Sequence, residues 1–226
     1  MANEKETETR TSIDELNDSL SGIEQKVQNN QKKVMWGFAA VMVVVCLILV
    51  WVYAIRKPGI EAADTAIGQA DLTLATGNDS LALAQYTQVA DNYGYDAGNR
   101  AALNAAIILY RQGKYQEAAD YLKKYDAKES VIGASAKSLE GDCYVNLQQY
   151  DKAIDCFRAA AKISDNNPHY TPVFLMKEAN VQRELKNYKA EADLYKRIDK
   201  DFPAFAQENA IEIDKYLKRA QLQAGE

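Results

Sequence analysis

Three segments of the chain, GKYQEAADYLKKY from Gly113, LQQYDKAIDCFRAAA from Leu147 and LKNYKAEADLYKRI from Leu185, line up without gaps. A fourth and weaker copy, GNDSLALAQYTQVA, begins at Gly77. Each copy has one bulky residue near its end, and these residues follow one another at spacings of 36, 35 and 38: Tyr86, Leu122, Phe157 and Tyr195. Self-similarity with a period of about 20–50 residues indicates a repeat architecture. The repeats therefore decide the fold of this part of the chain.

The composition agrees with a helical protein and disfavours several classes of function. The chain has 226 residues, of which 47% are hydrophobic and 26% charged, with only 11 Gly and 4 Pro. So few turn residues disfavour an all-β fold, and a net charge of -5 disfavours binding to nucleic acid. The 3 Cys and 1 His are too few for most structural zinc sites or for a disulfide framework. The expected fold class is all-α.

The repeats resemble those of the tetratricopeptide repeat (TPR) family, and the resemblance covers nearly all of residues 58–226. The family places a small residue midway along the first helix of each hairpin, a Tyr at the start of the second helix and an Ala three residues later. The chain matches at these positions, and its large residues complete the predicted packing set: Ala70, Ala106, Gly141, Ala179, Tyr115, Tyr150, Tyr188, Ala118, Ala153, Leu122, Phe157 and Tyr195. The fourth copy departs from the pattern, with Glu191 in place of the Ala.

The resemblance implies a right-handed α-solenoid of about four helical hairpins. The alignment places the hairpins near residues 60–92, 97–126, 130–163 and 171–200, followed by a capping helix over 203–222. A single hairpin cannot bury its apolar side, so each one packs against the next. Small residues let the helices approach closely, and the Tyr, Leu and Phe side chains fill the gap to the neighbouring hairpin.

A membrane anchor is predicted over residues 35–55, which are 21 consecutive residues without a charge. At about 1.5 Å per residue this helix would span about 31 Å, the thickness of the apolar part of a bilayer. Trp36 and Trp51 lie near its ends, as interfacial aromatic anchors do. A cleavable signal peptide is the alternative, but its apolar region is shorter, about 7–15 residues, and follows a short basic leader. We therefore expect a retained single-pass transmembrane helix.

Basic residues that flank the anchor indicate its orientation by a small margin. Lys26, Lys32 and Lys33 precede the anchor, whereas Arg56 and Lys57 follow it. The side richer in Lys and Arg usually faces the cytoplasm. This count favours a cytoplasmic amino terminus and leaves the opposite orientation open.

The polar tail, residues 1–34, contains a heptad pattern. Its apolar positions are spaced alternately by three and four residues: Ile13, Leu16, Leu20, Ile23 and Val27, with Asn30 and Val34 continuing the series. This spacing is typical of a coiled-coil seam, and it predicts homo-oligomerisation or pairing with a partner through residues 13–34. The alternative is a short amphipathic helix that is only marginally stable by itself.

The TPR resemblance also implies a candidate protein-binding face. In that family the concave surface comes mainly from the first helices, at five positions of each motif. Carrying these positions over gives eleven candidate residues: Arg100, Leu103, Ile107, Tyr110, Arg111, Asp142, Val145, Asn146, Met176, Asn180 and Arg183. The set mixes apolar, aromatic and polar side chains, as a peptide-binding surface does. The alternative is that these residues pack within the superhelix. The basic residues of the carboxylate clamp, which grips chaperone tails, are incomplete here, so that binding mode is not expected.

The sequence points to no enzyme and to no cofactor. His169, the single imidazole, follows Pro168 in a loop and lacks a second catalytic group. Cys143 and Cys156 lie on the two helices of one hairpin, at an expected separation too large for a disulfide. No phosphate-binding loop or zinc-protease motif occurs in the sequence. A binding scaffold is therefore favoured over catalysis.

The order of the parts narrows the resemblance further. A short tail, one anchor and four degenerate repeats are similar to the YfgM type of envelope protein, an ancillary subunit of the bacterial Sec translocon. The segment that carries this similarity, residues 91–122, reads DNYGYDAGNRAALNAAIILYRQGKYQEAADYL. The resemblance implies an inner-membrane scaffold whose repeats meet translocating proteins or chaperones in the periplasm. Two alternatives stay open, a self-associating envelope organiser and an adaptor with its repeats in the cytoplasm.

Overall fold

A computed structural model of the protein describes residues 30–127 and 129–225. Every regular element in these two ranges is a helix, which confirms the all-α fold class. The chain divides into two compact units, Met1–Pro58 and Gly59–Glu226.

The first unit contains one long apolar helix. Helix α1, Gln31–Trp51, is followed by a π-helical segment, Val52–Arg56, and neither contains a buried residue. By length and composition the helical region near the amino terminus is long and apolar enough to cross a membrane. Most of the heptad pattern predicted over residues 13–34 lies outside the described residues, since these begin at residue 30.

The second unit consists of consecutive helical hairpins followed by two short helices. The hairpins are α2–α3, α4–α5, α6–α7 and α8–α9, with these bounds: α2 Lys57–Ala75, α3 Asp79–Asn92, α4 Asp96–Arg111, α5 Tyr115–Lys124, α6 Ile132–Asn146, α7 Tyr150–Ile163, α8 Thr171–Glu184 and α9 Tyr188–Asp201. Helices α10, Pro203–Glu208, and α11, Ile213–Ala224, follow. We refer to α2, α4, α6 and α8 as the first helices of the hairpins.

The carboxy-terminal segment differs from the single capping helix predicted over 203–222. The helix is interrupted between α10 and α11. At this point Ala210 has a positive φ of 54°, and the side-chain amide of Asn209 donates a hydrogen bond to the Phe205 carbonyl. The segment between the two helices contains no Gly or Pro that would have signalled a break. The break allows Phe205 and Ile213 to enter the same apolar cluster.

The core is a series of apolar clusters that cross the borders between hairpins. One cluster joins α2, α3 and α4, a second joins α4 to α8, and a third joins α6 to α11. The small residues of the predicted packing set are buried within the unit: Ala70, Ala106, Ala118, Gly141, Ala153 and Ala179. The large residues Leu122, Phe157 and Tyr195 are buried too, whereas Tyr115, Tyr150 and Tyr188 are half-buried.

Gly141 shows how closely two helices of one hairpin approach. A Cβ atom built on Gly141 of α6 would lie 2.6 Å from Cε1 of Phe157 on α7. Phe157 is itself buried in the second apolar cluster, so its ring has little space into which it could move. The crossing of α6 and α7 therefore requires glycine in the present arrangement.

Replacing Gly141 by Ala is expected to destabilise the protein, because overpacking a core typically costs about 1–3 kcal/mol. Gly68 of α2 is the matched control, since nothing lies within 4 Å of its added Cβ. Gly68→Ala should instead stabilise the helix by up to about 1 kcal/mol. Urea unfolding of the full chain in detergent micelles, followed by circular dichroism, measures both effects. Equal effects of the two substitutions would contradict the packing argument.

Glu191, the residue that departs from the repeat pattern, anchors the last helix. It lies on α9 at the position where earlier repeats have Ala118 and Ala153, and its side chain is 0% exposed. Its Oε1 accepts a hydrogen bond of 2.6 Å from the Arg219 guanidinium of α11. The rings of Tyr195 and Tyr216 stack beside this pair at 5.6 Å. Because α11 packs against α9 here, an ion pair with a buried carboxylate replaces the Ala contact of the earlier repeats.

Arg219→Ala should release α11 from α9, because it leaves the Glu191 carboxylate buried without its partner, at a cost of about 3–5 kcal/mol. Glu191→Ala should cost less, since the Arg219 side chain is 36% exposed and can reach water. The double variant should recover stability relative to Arg219→Ala. Hydrogen exchange of the α11 amides in the full chain measures how strongly each of the three variants loosens α11. A double variant whose α11 exchanges as fast as that of Arg219→Ala would refute this role of the pair.

Candidate protein-binding face

The first helices present a mixed surface, which we call the first-helix face: the side chains of α2, α4, α6 and α8 that are not fully buried. The structure places all eleven predicted residues on it. Four are exposed, Arg100, Arg111, Asn146 and Asn180, and seven are half-buried, Leu103, Ile107, Tyr110, Asp142, Val145, Met176 and Arg183. Leu103, Tyr110 and Val145 also pack against the second apolar cluster, and Met176 packs against the third. These four residues therefore serve packing as well as the surface.

Polar contacts tie α2 to α4 on this face. The Arg100 guanidinium donates to Oδ2 of Asp71 at 2.6 Å, and the Tyr86 hydroxyl of α3 donates to Oδ1 of the same carboxylate at 2.6 Å. Burial and the Asp71 carboxylate raise the pKa of Tyr86 to about 12. Both oxygens of Asp71 are therefore engaged, and Arg100 already has a counter-ion.

Tyr110 of α4 packs against the start of α5. Its ring meets that of Tyr115 edge to face at 5.4 Å. Burial raises the pKa of Tyr110, and the negative charge of Asp142 raises it further. Tyr110 therefore lies in the field of the Asp142 carboxylate.

Lys177 joins α8 to α6. Its ammonium donates to Oδ2 of Asp142 at 2.5 Å and to the Ser138 hydroxyl at 3.0 Å. It also lies 5.7 Å from the centre of the Phe157 ring. The ammonium therefore has two hydrogen-bond acceptors and an aromatic ring close by.

A cavity of about 450 Å³ lies between α6 and α8 on the first-helix face. Four of the predicted residues line it: Asp142, Val145, Asn180 and Arg183. Tyr150, Phe157, Lys177, Val181 and Glu184 complete the lining. The predicted residues of α4, together with Asn146 and Met176, do not line this cavity. The structure thus collects part of the predicted set into one concave site.

Comparison with known proteins identifies the repeats. The tetratricopeptide repeat family profile matches residues 67–131 and residues 134–167. The chain carries tetratricopeptide repeats. TPR domains typically bind other proteins.

Solved TPR-like structures share the fold. One crystal structure of MamA is 17% identical over 69% of this chain and 94% of that chain, with a TM-score of 0.51. A second MamA structure is 16% identical over 72% and 92%, with a TM-score of 0.52. A structure from Podospora anserina, described as a kinesin light chain with nearly identical TPR-like repeats, is 12% identical over 72% and 86%, with a TM-score of 0.52. At these identities the likeness shows the fold alone. The comparison with curated proteins finds no match.

Two residues of the first-helix face that form contacts between repeats, Asp71 and Lys177, are not among the eleven predicted residues. Asp71 has a signal, because Asp71, Ile107, Asp142 and Asn180 occupy one motif position at the same spacings of 36, 35 and 38 that separate the bulky residues. Lys177 lies one residue after the predicted Met176. Its long side chain extends back to α6 and contacts Asp142 and Ser138 there. The motif positions of a single repeat do not predict such contacts between repeats.

The two buried cysteines and the single histidine are the next candidates for chemistry. Cys143 and Cys156 are free and buried, and burial raises the pKa of each thiol to about 12. Both thiols are therefore protonated at neutral pH and are poor nucleophiles. His169 is exposed, with Nδ1 3.7 Å from Glu208. In the part of the chain that the structure describes, no group of three or more His, Cys, Asp or Glu side chains could hold a metal ion.

A larger cavity, of about 920 Å³, lies at the carboxy-terminal end of the TPR unit. It is lined by α10, α11 and the segment between them, including Ile211, Lys218 and the exposed Leu222. None of the residues predicted for binding lines it. We therefore place the candidate site at the smaller cavity, where side chains of two repeats meet.

Asp142 is held in an environment that opposes its charge. Burial raises the pKa of its carboxyl, and Lys177 only partly offsets this effect. Between the ordinary pKa of an Asp and this higher value, the folded protein binds more protons than the unfolded chain does. The contribution of Asp142 to stability therefore grows as the pH falls and is lost as the pH rises through its folded-state pKa.

The pH dependence of unfolding tests this effect with Asp142→Asn. Relative to this variant, the wild-type protein should gain free energy of unfolding as the pH is lowered from neutral to acidic values, because only the wild type can take up the proton. Asp120→Asn is the control of opposite sign, since the hydrogen bond from Lys123 lowers the pKa of Asp120. Its effect should be small because Asp120 is exposed. Parallel pH profiles for wild type and Asp142→Asn would contradict the assignment.

Proposed function

We propose that the protein is a membrane-anchored TPR scaffold that binds a partner protein at the cell envelope through the first-helix face. The observation that carries this proposal is the cavity between α6 and α8, which side chains of two successive repeats line together. Concave sites with an apolar lining and a few converging polar groups are where proteins usually bind their ligands. Helix α1 supports the anchoring, because its apolar side chains are exposed along its length.

The proposed location is a bacterial inner membrane, with a cytoplasmic amino terminus and the repeats in the periplasm. Two observations support it, the slight excess of Lys before the anchor and the resemblance to the YfgM type of envelope protein. That resemblance also suggests the partners, which are components of the Sec translocon, translocating proteins or periplasmic chaperones. The scaffold would then assist translocation by holding a chaperone or an emerging chain close to the membrane.

The binding face is tested by capture from membranes solubilised in mild detergent. Asn180→Trp places a large ring at the mouth of the cavity from an exposed position, so it should block the partner without disturbing the core. Gln116→Trp, at an exposed position on the second helix α5, is the matched control. We expect an envelope protein that is retained by wild type and Gln116→Trp and reduced at least tenfold with Asn180→Trp, a loss of about 1.4 kcal/mol. Equal capture by both variants would refute binding at this cavity.

The orientation is tested separately with a reporter enzyme fused after Glu226 that is active only outside the cytoplasm. Activity of this fusion would agree with periplasmic repeats. Inactivity, together with activity of a cytoplasm-specific reporter at the same position, would favour an adaptor with its repeats in the cytoplasm.

The alternative of a self-associating organiser is favoured by the heptad pattern of residues 13–34. Its test is the mass of the full chain in detergent, compared with a variant in which Leu16 and Leu20 are replaced by Ser. A monomer in both cases would refute it.

A further inference from the structure

The cavity between α6 and α8 has charges of both signs, but they are not equally available to a ligand. The Lys177 ammonium already has two hydrogen-bond acceptors, Asp142 and Ser138, and lies 5.7 Å from the centre of the Phe157 ring. On the far rim, Arg183 lies 3.9 Å from the carboxylate of Glu184. An anion that bound to Lys177 would therefore compete with Asp142 and Ser138 for the ammonium.

The Asp142 carboxylate, in contrast, retains capacity to accept hydrogen bonds. An ionised carboxylate offers about four acceptor positions on its two oxygens, and the contact from Lys177 is made to Oδ2. The Asp142 side chain is 25% exposed and lines the cavity. Its other oxygen, Oδ1, is thus within reach of a group that enters from solvent.

The negative charge of Asp142 raises the pKa values of two neighbouring side chains. After burial, the Asp142 charge is the largest cause that raises the pKa of both Tyr110 on α4 and Cys143 on α6. The charge of Asp142 is thus felt on the α4 side of α6 as well as in the cavity that it lines.

The other walls suit the stem of a long basic side chain. Val145, Tyr150, Phe157 and Val181 supply apolar and aromatic surface, along which the methylene groups of Lys or Arg can lie while the charged end reaches a polar group. Glu184, exposed at the rim, offers a second carboxylate.

We propose that this cavity is a subsite for one Lys or Arg side chain of the partner protein, with the charged end on Asp142 and the aliphatic stem along Val145 and Tyr150. This inference rests on the proposed function, because it names the chemistry of the segment that the first-helix face binds. It predicts that the bound segment carries a basic residue flanked by apolar ones.

The test uses the full chain in detergent micelles and three probes: acetyl-Leu-Arg-Leu-amide, its neutral isostere acetyl-Leu-citrulline-Leu-amide, and acetyl-Leu-Glu-Leu-amide. Methyl resonances of Val145 and Val181, which line the cavity, report binding at the site itself. We expect the arginine peptide to bind about tenfold more tightly than the citrulline peptide, the difference typical of a charge-assisted hydrogen bond. The glutamate peptide should bind more weakly than either.

Asp142→Asn is the decisive variant, because it keeps the shape of the side chain and removes its charge. It should lose most of the preference for the arginine peptide over the citrulline peptide, with Glu184 supplying what remains, and an unchanged circular dichroism spectrum of the free variant would show that the fold is retained. Equal binding of the two peptides by wild type, or tighter binding of the glutamate peptide, would overturn the inference and leave the scaffold function standing. The scaffold function fails by a different result, namely capture that is insensitive to Asn180→Trp.

Discussion

Each helical hairpin of the TPR unit buries its apolar side only where another element covers it, and the arrangement of the unit follows from this constraint. The apolar clusters accordingly cross hairpin borders, with Val181 of α8 packed among residues of the two preceding hairpins. Close approach of the helices requires small side chains at their crossings. Gly141 shows how strict the requirement is, because even one added methyl group would meet the buried ring of Phe157. Only part of the first-helix face takes part in this packing, through residues such as Leu103 and Val145.

The same constraint explains the carboxy-terminal end of the unit. A solenoid needs a terminal element that covers its last apolar surface without inviting a further repeat. Here α10 and α11 contribute Phe205 and Ile213 to the last cluster, while Glu191 takes the place of the Ala found in earlier repeats and pairs with Arg219. A buried carboxylate accepts only a neighbour that brings a cation with it. This makes Glu191 a determinant of which helix can dock on α9.

The fold was largely predictable from the sequence because repeated packing leaves a repeated pattern. The positions of Ala70, Ala106, Gly141 and Ala179 follow from the alignment of four copies, and the all-α fold is confirmed. The break between α10 and α11 left no such pattern, since it combines a positive φ at Ala210 with burial of Phe205 and Ile213 in one apolar cluster. The roles of Asp71 and Lys177 depend on contacts between different repeats, which a motif read one repeat at a time does not contain. The heptad pattern of residues 13–34 stays a prediction.

Two ion pairs on the first-helix face differ in what they leave available. Both oxygens of Asp71 accept hydrogen bonds, one from Arg100 and one from Tyr86. The ion pair between α2 and α4 therefore offers a ligand few free hydrogen-bonding positions. Asp142 is bound through Oδ2 by Lys177 in surroundings that raise its pKa, which means that the ion pair does not fully compensate the burial of this carboxylate. A group kept charged at such a cost contributes little to stability, whereas it gains most from an added hydrogen-bond donor. Selectivity for a partner is therefore expected to concentrate at α6 and α8, with the α2–α4 end of the face contributing shape more than charge.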